Sequence, residues 1–440
     1  MARVTRFRAT ASTIFRSLAN PGYRKFLAGQ SISSVGQWMQ TVAQGLLVLK
    51  LGGGGVDLGV MVMLQVIPVA ALSPLGGVLA DRFDRRRILL CTNTVAGAQA
   101  LTLGLLAANG YATLHVVYVM AFLLGLNSSL QMPTQQAFVS EIVGPEELAN
   151  AVNVNLMTMN VARVMGPAVA GFAVAAVGVA TCFLLNAASF LVAITMLVLI
   201  RPDQRRVAPR QVSRRGQLRE GIAHVRHNRE LAAAFWMNLV YCMLAWQFEV
   251  SVPLLVTKTF GGSAATYGLM FSALGLGAVI GGAWGASRTH PSHRDQLLPA
   301  VVGGLGMLGT AFAPNLATAF VTAAIGGGAI VCWWGILSGI FQLQADPSFR
   351  ARVTGLWMTG LHGGRPLGAL LVGWIAATLG ARAPFVLGAA GCVLAIAVWS
   401  WVSGHPLREA FTSRTPIPGF RERQARQDVL LAESHMIGEA

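Results

Sequence analysis

A short charged string set between two long apolar stretches constrains this chain more than any other feature. It reads Gly77-Val78-Leu79-Ala80-Asp81-Arg82-Phe83-Asp84-Arg85-Arg86-Arg87 and separates an apolar run over 58–80 from another over 88–108. Each run is long enough to cross a bilayer, which takes about 20 residues of helix. Four arginines and two aspartates confined to so short a turn mark the cytoplasmic side of a membrane. The chain is therefore expected to be an all-α membrane protein.

Composition agrees. Of the 440 residues, 54% are hydrophobic and only 11% charged, against about 25% charged in a soluble domain. The 50 glycines suit helices that pack backbone to backbone in lipid. Cys91, Cys182, Cys242, Cys332 and Cys392 all fall in apolar spans, with no disulfide framework and no metal-ligand spacing. No Gly-x-x-x-x-Gly-Lys-Ser/Thr string and no catalytic triad occurs, so neither ATP hydrolysis nor any other enzyme activity is expected, nor a cofactor or a metal. Arg3, Arg6, Arg8, Arg16, Arg24 and Lys25 form a basic arm that runs into a full-length span, which reads as an anchor rather than a cleaved signal.

Twelve apolar stretches are counted, at roughly 26–50, 58–80, 88–108, 112–135, 150–177, 180–200, 231–256, 266–287, 296–313, 316–343, 353–379 and 383–403. Of the 33 Lys and Arg residues, 28 fall in the arm, the even-numbered turns and the tail, and only Lys50, Lys258 and Arg382 on the opposite side. That asymmetry puts both termini in the cytoplasm. It also accounts for the net charge of +16 without nucleic acid; the partner is the bilayer. The organisation expected is a cytoplasmic basic arm (1–25), a six-helix bundle (26–200), an arginine-rich cytoplasmic linker (201–230), a second six-helix bundle (231–403) and a cytoplasmic tail (404–440). The halves repeat: Arg163, Gly166 and Gly171 match Arg365, Gly368 and Gly373 at a constant offset of 202.

Further strings sharpen the picture. Span 1 reads Gln30-Ser31-Ile32-Ser33-Ser34-Val35-Gly36-Gln37-Trp38-Met39-Gln40 and then Val42-Ala43-Gln44-Gly45. Span 4 leads through Pro133, Gln135-Gln136-Ala137 and Glu141 to Pro145-Glu146-Glu147-Leu148 and Ala149-Asn150. Span 5 carries Asn160, Ala162-Arg163, Gly166-Pro167 and Gly171. With the charged string, which fits Gly, three residues, Asp-Arg, two residues, Arg-Arg, the chain resembles the major facilitator superfamily over about 20–402. Within it, the chain resembles the branch called transmembrane secretion effectors. The resemblance implies twelve transmembrane helices in two pseudo-symmetric six-helix bundles, and export of small molecules driven by a proton gradient.

The resemblance also assigns roles. Gly77, Asp81, Arg82, Arg85 and Arg86 would form a gating loop, with Asp81 facing the start of span 11 near Arg352; the plain alternative is a topogenic charge cluster. Two departures stand out: Asp84 occupies a position where the superfamily prefers glycine, and the second-half copy at Gly285, Ser287 and Arg288 has no acid. Gly166, Pro167 and Gly171 partly match an antiporter motif. With Gly277, Gly281, Gly285, Gly364 and Gly368 they offer smooth faces, for rocking of one bundle on the other or for tight packing alone. Span 4 lacks the arginine common in drug/proton antiporters and offers Asn127, Ser128, Ser129 and Gln131 instead.

Charged residues within spans are costly, a central arginine by about 2.5–3.5 kcal/mol on insertion scales. Arg163 and Arg365 each lie about 13 residues into their helix, roughly 20 Å deep. They are candidates for coupling, or for pairing with a helix carbonyl or with a polar neighbour such as Asn160. Glu249 is the candidate proton carrier, with an outer-mouth position as the alternative, and His362 stands one turn from Arg365. The cavity helices implied by the resemblance supply Gln37, Gln40, Gln44, Asn127, Gln131, Asn238, Tyr241, Trp246, Trp333, Trp334, Ser338 and Gln342. Amides beside indoles suit an amphipathic, aromatic solute. The reading is a monomeric secondary exporter of small amphipathic molecules, drug- or siderophore-like, in the bacterial cytoplasmic membrane, acting as a proton antiporter. A proton-coupled importer and a non-transporting sensor or scaffold remain the alternatives.

Overall fold

The computed structural model describes residues 16–201, 217–288, 291–344, 350–413 and Ile417. The basic arm before Arg16, linker positions 202–216, the rest of the tail beyond Ser413 and the side chain of Gln342 lie outside the described residues. Every described element is helical.

The first helices are set by their caps. α1 (Pro21–Lys50) starts at Asn20, whose side chain accepts from the backbone N–H of Gly22 and Tyr23, with Pro21 in the first helical position. α2 spans Gly55–Arg82 and α3 spans Arg85–Ala108. The charged string is the two-residue break between them. Asp84, the residue that departs from the superfamily pattern, is the N-cap of α3 and accepts from Arg87 N at 2.9 Å. A carboxylate there caps the helix and complements its positive end, which glycine cannot do. α4 (Leu114–Ile142) and α5 (Pro145–Val177) follow, and Gly178 at φ +85° turns the chain directly into α6 (Val179–Val198).

The rest comprises α7 (Gln217–His227), α8 (Arg229–Leu244), α9 (Phe248–Leu254) with a π turn over Leu255–Thr259, α10 (Ala264–Ala286), α11 (His293–Ala311) and α12 (Leu316–Gln344). They are followed by α13 (Arg350–Gly363), α14 (Arg365–Leu379), α15 (Ala383–Ser403) and the short α16 (Leu407–Thr412). Among the described residues nine helical stretches are long and apolar enough to cross a membrane. The other three stretches of the sequence count correspond to α1, α11 and α13 with α14. These are helical but more polar, or too short on either side of a break. Two expected spans are thus not continuous: span 7 is interrupted at 245–247 and span 11 at Gly364.

The chain divides into two compact units, which differ from the two sequence halves. The first takes the described residues of Met1–Ser213 together with Phe248–Gly275 and Ala369–Pro384; the second takes those of Arg214–Gln247, Leu276–Gly368 and Phe385–Ala440. The boundaries inside spans 7 and 11 fall at or within four residues of the two breaks. In the first unit, at the end remote from the charged turn, Gly55 of α2 meets Gly373 of α14, and Gly59 meets Ala369, with backbone against backbone. Near the charged turn, Tyr23, Phe26, Leu89, Phe138, Ile142, Val154 and Leu197 form an apolar core, and Tyr23 donates to Ala151 O at 2.6 Å. In the second unit Gly277 and Gly281 of α10 press on Ala324 and Gly328 of α12. Those two glycines, and Gly364 and Gly368 against Leu239 and Met243 of α8, serve tight packing inside the second unit.

Candidate functional site

Arg85 organises the charged turn. Its Nη2 lies 3.1 Å from Asp81 Oδ1 and its Nη1 3.1 Å from Glu141 Oε1, while Nη1 also donates to Ala137 O and Nε to Ala80 O, both at 3.2 Å. The guanidinium thus joins the end of α2, the start of α3 and the end of α4. Its side chain is 14% exposed and that of Glu141 10%, whereas Asp81 is 47% exposed. Arg86 donates to Leu197 O at 2.9 Å and Val198 O at 2.6 Å, placing a cation on the negative C-terminal end of α6. Arg82 is exposed. The tightly placed glycine is Gly76, where a Cβ would collide with Ser129 O, and not Gly77, whose Cβ would meet nothing within 4 Å. The motif spacing alone pointed to Gly77; which of two adjacent glycines faces the neighbouring helix is a matter of helix rotation.

In α5, Gly166 gives way to Trp38 of α1, and the Arg163 guanidinium lies over the Trp38 ring, 5.3 Å from its centroid. This cation–π contact is one the sequence reading did not weigh. Pro167 lacks the N–H that would bond one turn back, and a hydroxyl from α10 reaches that turn: Ser272 Oγ donates to Val164 O at 2.7 Å. Gly171 and Gly268 then cross with their backbones in contact, a Gly268 Cβ falling 2.6 Å from Gly171 Cα.

The two breaks adjoin each other through Gln247, a residue the sequence reading missed. Its Nε2 donates to Cys242 O at 2.9 Å, and to Met243 O and Arg365 O at 3.3 Å. One amide thus gathers carbonyls freed at the end of α8 and the start of α14. Arg365 is the first residue of α14, just after the break, not the middle of a continuous helix. The signal for it was present in Gly363-Gly364-Arg365-Pro366, since a residue before proline is driven out of the helical region. His362, half-buried, donates from Nδ1 to Met358 O at 3.1 Å. Glu249 is half-buried in the first turn of α9, where the helix dipole favours a carboxylate, and it acts electrostatically on the buried Tyr267.

The amides separate into two groups. Gln40 accepts from Asn186 and donates to Gln99 at 3.1 Å, and Gln131 donates to Asn93 at 3.2 Å. These two, expected in the cavity, instead tie helices of the first unit together. Gln37 is half-buried. Gln44 Nε2 and Asn127 Nδ2 are buried with no hydrogen-bond partner among the described residues.

In the second unit one line of rings runs Trp333, Tyr241, Trp246, Trp334, Trp357 and Phe341, with successive centroids 4.3, 6.0, 6.2, 6.3 and 5.1 Å apart. Along it, Asn238 Nδ2, Tyr241 OH and the indole N–H groups of Trp333, Trp334 and Trp357 are buried with no hydrogen-bond partner among the described residues. All five are hydrogen-bond donors. Trp357 and Gln247 extend the set that the sequence selected.

Apolar helices broken in mid-span beside buried polar groups and rings define a membrane transporter. The chain belongs to the transmembrane secretion effector family of the major facilitator superfamily, whose profile matches residues 12–423. It is 23% identical over 357 residues to the staphyloferrin A transporter of Staphylococcus aureus, covering 79% of this chain and 87% of that protein. It is 27% identical over 348 residues to the enterobactin exporter EntS of Shigella flexneri, covering 76% of each. In fold it matches a bacterial homologue of the human lysosomal transporter Spinster, solved inward-facing and unoccupied, with a TM-score of 0.72 at 13% identity over 88% of this chain and 97% of that one.

Proposed function

We propose that the protein exports small amphipathic molecules that combine an aromatic face with several oxygen acceptors. The observation that carries this reading is the line of rings with five buried donor groups that have no hydrogen-bond partner among the described residues. An unpaired buried donor costs about 1–3 kcal/mol, so a solute that brings oxygens to those donors relieves that cost as it binds, while its rings stack. The relative named as an enterobactin exporter supports export over import, and the one named as a staphyloferrin A transporter supports a small-molecule solute over sensing. In this reading the twelve spans form two pseudo-symmetric bundles of a monomer in the bacterial cytoplasmic membrane, with both termini in the cytoplasm. The Gly77, Asp81 and Arg85 turn gates the inner side, and Arg163 and Arg365 stay candidates for coupling.

Tyr241→Phe isolates the binding term. It removes a hydroxyl with no partner in the empty protein, so folded yield should hold. Affinity for a transported solute should fall by about 1 kcal/mol, roughly fivefold, in equilibrium binding. Unchanged affinity together with unchanged efflux would remove this line of rings from the binding site.

Coupling is assigned to Glu249, the acid at the start of α9. Inverted vesicles with an acid lumen should accumulate substrate through the native protein. Glu249→Gln should bind substrate but no longer accumulate it, because an amide does not titrate. Accumulation equal to the native protein would move the coupling to another group, with His362 the next candidate.

A further inference from the structure

Three residues far apart in the sequence converge at one end of the second unit: Glu230 in the first turn of α8, His293 at the start of α11 and His405 just after α15. Glu230 Oε1 lies 2.8 Å from His405 Nε2 and 4.0 Å from His293 Nε2, and one ligand atom from each residue falls within 4.8 Å of the others. The backbone holds each in place. Asn228 Oδ1 accepts from Glu230 N at 3.0 Å, Ser292 caps α11 through Asp295, and Ser403 Oγ accepts from His405 N while Ser400 Oγ donates to His405 O at 2.7 Å. Gly404, at φ +80°, folds the chain back so that His405 stacks on Trp399, with an interplanar angle of 23°. Trp399 also supports His293, their centroids 5.2 Å apart.

We propose that Glu230, His293 and His405 form a binding site for one divalent transition-metal ion of the zinc type, which ties the starts of α8 and α11 to the end of α15. Two imidazoles and a carboxylate are a ligand set for such an ion, with water as the fourth ligand on the half-exposed His405 side. Bonds of about 2.0–2.2 Å hold tetrahedral ligand atoms roughly 3.4 Å apart, so the pairs at 2.8 and 4.0 Å straddle the spacing required.

A second observation points to the same ligand. Among the described residues His293 Nδ1 and Gln296 Oε1 are buried with no other hydrogen-bond partner, and the Gln296 side chain, one turn on, stands within interacting reach of the ring. Once Nε2 holds an ion, Nδ1 must carry the proton and has Gln296 Oε1 to receive it, the outer contact that orients metal-bound histidines. Arg229 lies against Gly404. A cation beside the cluster disfavours ions held by charge alone, such as magnesium, and leaves those held by nitrogen coordination.

The test uses the full chain in detergent, without a histidine tag, after chelator treatment. Titration with cobalt(II) should show one equivalent bound, with the intense visible absorption of a four-coordinate ion, displaced by one equivalent of zinc(II). His405→Ala, at a half-exposed position that tolerates substitution, should lower affinity by more than about tenfold, and Glu230→Gln should do the same. Zinc should raise the unfolding temperature of the native chain and not of the variants. No cobalt(II) bound by the native chain, or equal binding by the native chain and both variants, overturns the site.

Discussion

Arg85→Ala is expected to destabilise the first unit by about 3 kcal/mol and to cut the folded yield, because it removes a charge-assisted contact to a buried carboxylate together with hydrogen bonds to two backbone carbonyls. Glu141 is only 10% exposed and Arg85 supplies it with a charged partner at 3.1 Å. The same guanidinium also binds the carbonyls of Ala80 and Ala137, so its loss loosens the junction of α2, α3 and α4. Arg85→Lys should recover little, since an ammonium cannot reach two carboxylates and two carbonyls with the geometry of a guanidinium. Glu141→Gln in the Arg85→Ala background should restore part of the loss, since a neutral amide is cheaper to keep buried beside fewer donors than a carboxylate. Detergent-solubilised thermal unfolding of the three variants measures this. Equal melting of native protein and Arg85→Ala would show that the Arg85 contacts do not hold this junction together.

Asp81 behaves differently. At 47% exposure its pair with Arg85 is largely solvated and contributes at most about 1 kcal/mol. Asp81→Asn should therefore leave folding intact, so any loss of transport in that variant reports on gating. The turn thus divides its labour: Arg85 and Glu141 hold the fold, and Asp81 is left available.

The charged turn was legible because its chemistry is local. Asp84 could have been recognised as a cap from its position directly before a helix. The break at Gly364 was also legible, in the glycine pair ahead of Arg365-Pro366, although the surrounding apolar run concealed it. The break at 245–247 has no comparable signal: Ala245, Trp246 and Gln247 contain neither glycine nor proline. There Gln247 donates to two carbonyls at the end of α8 and to Arg365 O at the start of α14, a long-range contact that local sequence does not signal. Gln40 and Gln131 were misplaced for a related reason. Hydropathy marks a span but not the rotation of its helix, and that rotation decided whether an amide met Gln99 and Asn93 or open space. The Glu230, His293 and His405 cluster escaped every spacing rule because its members come from three separate turns.

Gly268→Leu is expected to abolish transport while the protein still folds. At this crossing a Cβ on Gly268 would fall 2.6 Å from Gly171 Cα and 2.8 Å from Gly171 N, and would overlap Pro167 O. All three are backbone atoms of α5, so no side chain can swing aside, and the two helices must separate by more than an ångström. The remaining contacts of the first unit, α2 on α4 and α1 with α3 on α6, do not pass through Gly268, so folded yield should fall little. What is lost is the close approach of α10 to α5 at the end remote from the charged turn. If the transport cycle requires that end to seal, a leucine there holds it open, and a cysteine placed at Gln44 should become reactive to an impermeant thiol reagent added from outside. Gly77→Ala provides the contrast, since its Cβ meets nothing within 4 Å and should leave folding unchanged. Native transport rates in Gly268→Leu would show that the Gly171–Gly268 contact serves packing alone.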